Sequence, residues 1–119
     1  MKIHVYKILK VNRTIETLLE QHISYPINVG YKIFQLKKEL DNIEKYIIER
    51  LSMLCPNFFT NDMTEEEKII YETILSSEIE LNNINITIEE ITNNNEVKTT
   101  LEDIENLMLL FNEKNEINS

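Results

Sequence analysis

EIELNNINITIEEI, residues 78–91, changes its hydrophobic period midway, and which half is helix and which is strand decides the fold. Ile79 and Leu81 extend the helical spacing of the residues before them, whereas Ile84, Ile86 and Ile88 alternate with Asn85 and Thr87, the period of a half-buried strand. The phase changes at Asn82-Asn83, and asparagine tolerates the left-handed conformation that closes many helices. The expectation is a helix ending at residue 81 and a strand over 84–88. A lone buried strand leaves backbone groups unpaired at a cost of roughly 1–3 kcal/mol each. It needs a partner, and the other alternating run is KIHVY, residues 2–6. The expectation is therefore a two-stranded ribbon of residues 2–6 with 84–88. Its open edges, carried by Ile3, Val5, Ile84 and Ile86, would let a second copy or a partner add a strand.

Around that ribbon the pattern is helical. Ile8, Val11, Ile15, Leu18 and Leu19 predict a helix to about Glu20, with a break near Asn12. Ser24-Tyr25-Pro26 stops one element and starts the next, since proline fits the first turn of a helix and not its interior. Residues 27–54 then carry Ile33, Leu36, Leu40, Ile43, Ile47, Leu51 and Leu54 at three- and four-residue spacing, a helix of about seven turns. Cys55-Pro56 ends it. Phe58 and Phe59 are expected to fold back onto the core. Thr64 with Glu67 makes a capping box for a third helix, with Ile70, Tyr71, Ile74 and Leu75 inward, that should lie antiparallel to the second. Thr87 with Glu90 suggests a short helical turn. Thr99 with Glu102 opens a last helix with Leu101, Ile104, Leu107, Met108 and Phe111 on its apolar side. The expected fold is mainly α, within α+β: an antiparallel helical hairpin, a small two-stranded β ribbon and a C-terminal helix, in one domain spanning 1–119 with a frayed end from about 112. The long helix outreaches the third, so its end at Ile47, Leu51 and Leu54 needs other cover or forms a contact site.

Composition limits the chemistry. Alanine and tryptophan are absent, Gly30 is the single glycine, and isoleucine, asparagine, glutamate and lysine dominate, as AT-rich codons would give. One cysteine excludes an internal disulfide, and with two histidines the tetrahedral soft-metal sites lack ligands. A glycine-rich phosphate loop and the usual hydrolase and metalloprotease motifs are missing. A nucleophilic Cys55 served by His22 or His4 is weighed against an ordinary semi-buried thiol, and the thiol is preferred. Asp62, Glu65, Glu66 and Glu67 could bind a hard cation, but consecutive helical carboxylates diverge, and the cap is preferred. Asp41 with Lys45 is expected to form a weak surface pair. Lys32, Lys37 and Lys38 near Tyr31 are expected to pair with the protein's own acids. No enzyme activity, cofactor or metal is expected.

Charge is uneven. Residues 1–40 carry 7 Lys or Arg against 3 acids and residues 41–119 carry 5 against 18, which sums to the net −9 of the chain. Such a surface disfavours direct nucleic-acid and membrane binding. It is either a solvated face that keeps the protein soluble or, with Glu65, Glu66 and Glu67 prominent, an acidic decoy for a nucleic-acid-binding protein.

The segments MKIHVYKILKV, YKIFQLKKELDNIEKYIIERLSML, YETILSSEIELNNINITIEEI and TTLEDIENLMLLF together resemble a family of small helical proteins of unknown function encoded by tailed bacteriophages and prophages. The resemblance spans most of the chain and rests on element pattern, not on catalytic signatures. It implies a phage protein in the bacterial host cytoplasm or the virion; a phage or host protein, or a second copy of the chain as a homo-oligomer, is the expected partner at the ribbon edges and the end of the long helix. Two functions follow as expectations: an accessory, assembly or virion-associated component, or a host-takeover or anti-defence inhibitor whose acidic surface mimics DNA.

Overall fold

The computed structural model describes residues 2–58, 60–82, 86–92 and 100–118, the last with side chains through Leu109. The fold is mainly helical with a small two-stranded antiparallel sheet. In chain order the elements are β1 (Lys2–His4), α1 (Val5–Leu19), α2 (Ile27–Leu54), α3 (Glu65–Ser76), β2 (Glu78–Glu80), α4 (Ile88–Thr92) and α5 (Leu101–Asn118).

The ribbon exists, but its second strand is not residues 84–88. β1 pairs antiparallel with β2 in the register Lys2 with Glu80, Ile3 with Ile79 and His4 with Glu78. EIELNNINITIEEI is therefore strand at its first end and helix at its last, the reverse of the expected order. The cause lies in the serines before it. Thr73, Ser76 and Ser77 turn their hydroxyls back onto the carbonyls of Ile69, Glu72 and Thr73 at 2.7, 2.8 and 2.7 Å, an alternative partner for the backbone that weakens a helix end. Ser77 adopts extended geometry, with φ −68° and ψ 153°, and α3 stops at Ser76. Glu-Ile-Glu-Leu then alternates as well as Ile-Asn-Ile-Thr-Ile does, and Ile79 faces inward opposite Ile3. On the far side, the Thr87 and Glu90 box is formed in both directions, each backbone N–H reaching the other's side-chain oxygen at 3.1 Å, and it opens α4. Ile84 and Asn85, the first two residues of the expected strand, lie outside the described residues.

Val5 also changes role. It opens α1, and its N–H donates to Ser77 O at 2.9 Å, so the first strand gives way to helix after His4. α1 runs unbroken through Asn12 and is the element against which β1, α2, α3 and α5 all pack. Ile8, Val11, Ile15 and Leu18 of α1 meet Val29, Ile33, Leu36 and Leu40 of α2 in the main core, together with Ile3, Leu81, Ile86, Ile91 and Leu107. A second cluster joins Val5, Ile47 and Leu51 to Phe58, Tyr71, Ile74 and Leu75, which is how α3 folds back along the end of α2. Phe58 covers this end as expected; Phe59 is outside the described residues. α2 spans Ile27–Leu54 as its periodicity predicts. The cap of α5 sits one residue later than expected, with Thr100 Oγ1 accepting from the Asp103 N–H and Asp103 Oδ2 accepting from the Thr100 N–H, both at 3.1 Å. Of its predicted inner face, Leu107 is buried and Ile104 half-buried, but Leu101 and Met108 are exposed. Backbone helix continues to Asn118, past the expected frayed point at 112.

Candidate protein-contact surface

The residues expected to make contacts divide sharply. Ile3, Val5, Ile47, Leu51 and Ile86 are all buried in the two cores, so they hold the fold and are not available to a partner. Leu54 is 40 % exposed, and Glu65 and Glu66 stand in solvent on the first turn of α3. Glu67 is a cap. Its N–H donates to Thr64 Oγ1 at 3.1 Å, and its carboxylate accepts from the backbone and side-chain N–H groups of Asn57 at 3.3 Å. Partial burial pushes the Glu67 carboxyl up, but those hydrogen bonds outweigh it and hold the group below the usual glutamate range. With three residues in each strand, the ribbon offers an incoming strand only one or two main-chain hydrogen bonds on an edge, a poor template.

The surface the sequence reading missed lies on α2. At 100° per residue, Ile27, Tyr31, Phe34, Tyr46 and Met53 fall within a band roughly 120° wide, opposite the stripe that faces the core. Their exposures are 92, 61, 61, 58 and 73 %. Asn28, Gln35, Lys38, Asn42, Lys45, Glu49 and Ser52 share that band, so the exposed apolar groups form two patches, Ile27, Tyr31 and Phe34 near the start of α2 and Tyr46 and Met53 near its end. The signal was present as Ile27, Tyr31 and Phe34 at spacing four and three, hidden behind the stronger core stripe. Beside these residues, a groove of about 590 Å³ opens between α2 and the end of β2 with the residues that follow it, lined by Tyr31, Phe34, Lys38 and Asn42 from α2 and by Glu80 and Asn82. The Asn82 N–H donates to Glu39 Oε1 at 2.9 Å across its floor, tying that segment to α2.

A polar network fixes α2 against α1 behind the same surface. Asn12, 1 % exposed, donates from Nδ2 to Asp41 Oδ1 at 3.1 Å and to Glu44 Oε2, and its Oδ1 accepts from Lys37 Nζ at 3.0 Å. Lys37 also pairs with Asp41 at 2.7 Å and approaches Glu16 at 3.8 Å. Asp41 thus reaches back to Lys37 rather than forward to Lys45, because Asn12 supplies the rest of the site. Burial raises the Asp41 carboxyl and the Lys37 and Asn12 hydrogen bonds lower it; the lowering wins. Lys32 pairs with Glu90 of α4 at 3.3 Å, and Tyr25 Oη donates to Ile91 O at 2.6 Å. The lysines near Tyr31 are largely engaged with the protein's own acids, as the charge pattern suggested.

Cys55 is fully buried and its Sγ lies 3.4 Å from Glu67 O. Burial, with the Glu67 charge adding, pushes its thiol up, the opposite of what a nucleophile needs. His4 is held by Ser76 O at 2.9 Å from Nδ1 and stacks on Tyr6. Among the described residues no three His, Cys, Asp or Glu side chains gather as a metal-holding group. No helix among them is long and apolar enough to cross a membrane. The chain matches no protein-family model, no curated protein and no solved structure.

Proposed function

We propose that this chain is a non-enzymatic, phage-encoded accessory, assembly or virion-associated protein that works through protein contacts made by the outer face of α2. The observation that carries the reading is the pair of exposed apolar patches, Ile27, Tyr31 and Phe34 with Tyr46 and Met53. Exposed apolar patches on a helix pinned to its neighbour by a buried polar network make a preformed docking edge, since the network removes the freedom that binding would otherwise have to freeze. The phage origin rests on the sequence resemblance and on the AT-rich composition, and with it the bacterial host cytoplasm or the virion as the place of action. Mass spectrometry of purified particles tests the virion arm. Deleting the gene and supplying it back as Phe34→Glu tests the surface: phage yield should fall with the variant as it does with the deletion. A variant that complements fully removes α2 from the account. The genes on either side would identify the process served.

A second reading is carried by charge. Residues 41–119 hold 18 acids against 5 bases, and Glu65 and Glu66 are exposed. In this reading the protein is a host-takeover or anti-defence inhibitor that blocks a nucleic-acid-binding effector, and its binding weakens with salt and with neutral substitutions at Glu65 and Glu66. Binding that ignores both leaves the first reading alone.

A further inference from the structure

We propose that the partner on the outer face of α2 is a second copy of this chain, docked antiparallel along the helix; this rests on the contact reading above. α2 is 28 residues long, roughly 42 Å, and the molecule measures 47 Å along its longest axis. Its outer face is therefore about as long as the protein itself. One row along that face runs through Ile27, Tyr31, Phe34, Lys38, Asn42, Tyr46, Glu49 and Met53, with Asn28, Gln35, Lys45 and Ser52 beside it. Their spacing of four, three, four, four, four, three and four averages about 3.7 residues, slightly above the ~3.6 of a straight helix, so the positions drift gradually around α2 from Ile27 to Met53. The spacing reads the same in both directions about Leu40, which a two-fold symmetric contact requires.

Area and charge agree with that occupant. At roughly 200 Å² for a fully exposed large side chain, the five apolar residues present roughly 700 Å² per copy, close to the ~800 Å² per partner of a stable interface. Lys32, Lys37, Asp41 and Glu44 are taken up by Glu90, Asn12 and one another, and the charges left on the outer face are Lys38, Lys45 and Glu49. An antiparallel copy about Leu40 lays these three on Asn42, Gln35 and Tyr31, with no like charges opposed, and opposes the two helix dipoles. A parallel copy would set like charge on like. In the antiparallel register Ile27 meets Met53 of the other copy, Phe34 meets Tyr46, Tyr31 meets Glu49 and Lys38 meets Asn42.

The test uses size-exclusion chromatography with light scattering on the full chain and three variants. The wild type should reach twice the 14.2 kDa chain mass as concentration rises. Phe34→Glu and Tyr46→Lys should each be monomeric where the wild type is dimeric, while the double variant, which sets each new carboxylate against a new ammonium across the two-fold axis, should recover the dimer. Both side chains are more than half exposed, so each variant should keep the wild-type circular dichroism and melting. A wild type of 14.2 kDa at every concentration overturns the proposal. So do single variants that dimerise normally, and a double variant that stays monomeric overturns the antiparallel register. A monomeric wild type whose Phe34→Glu variant still lowers phage yield removes the second copy and keeps the contact surface; unchanged yield removes the surface itself.

Discussion

Replacing Asn12 with alanine should cost the protein more than any surface change of similar size. The side chain is 1 % exposed and makes three hydrogen bonds, two to the carboxylates of Asp41 and Glu44 and one from the Lys37 ammonium. Hydrogen bonds to charged groups are worth about 1.5–3 kcal/mol each, and the penalty grows when the abandoned partner is shielded from water. Asp41 is 53 % exposed and recovers most of its loss from solvent, whereas the Lys37 side chain is only 16 % exposed and does not. Allowing also for the small cavity left behind, Asn12→Ala should lose about 2–4 kcal/mol. For a chain of this size that corresponds to a fall of roughly 8–15 °C in Tm. Urea and thermal unfolding followed by circular dichroism would read it, with Arg13→Ala, on the exposed side of the same helix, as the control. A loss below about 0.5 kcal/mol, the range of ordinary surface changes, would refute the claim that this network holds α1 on α2.

Two further outcomes follow from the same groups. The Asp41 carboxyl is held below the usual aspartate value of 3.8 in the folded state, so its contribution is complete above that value and is lost as pH falls through the lower folded one. The Tm gap between wild type and Asp41→Asn should be widest near neutrality and close in acid; a gap constant with pH would show that Asp41 acts by packing alone. The buried Cys55 thiol, raised by burial, should resist alkylation by iodoacetamide in the native protein at pH 8 and react once urea unfolds the chain. Rapid native labelling would mean that the end of α2 opens readily.

How much of this was legible beforehand depends on how many local signals agreed. α2 was fully so, because Pro26, a long apolar stripe and Cys55-Pro56 all marked the same ends. The capping boxes at Thr64 and Thr87 were legible for the same reason: a side-chain oxygen three residues before a carboxylate has one good use. The ribbon was half legible. Ile3 had to be in it, but Glu78–Glu80 and residues 84–88 both alternate, and period alone does not choose between them. The choice was made by Ser76 and Ser77, whose hydroxyls compete for the backbone of α3, and by the Thr87 and Glu90 box, which claims the second run for a helix. Asn12 was misread as a break, since a polar residue on an apolar stripe looks like an interruption until Asp41, Glu44 and Lys37 arrive from another helix. The outer side of α2 is masked in the sequence by the stronger core stripe, and Ile47 and Leu51 read as an uncovered end because only the folded chain brings Val5, Phe58 and α3 over them.

The central claim, that a second copy of this chain docks on the outer face of α2, is most directly tested by hydroxyl-radical footprinting of the dilute and the concentrated chain. Tyr31, Phe34, Tyr46 and Met53 are oxidisable and exposed, and Tyr6, on α1 and away from the face, serves as the reference. The account expects those four side chains to become protected together on concentration while Tyr6 is oxidised as before. Equal oxidation at both concentrations, or protection confined to other elements, would contradict it.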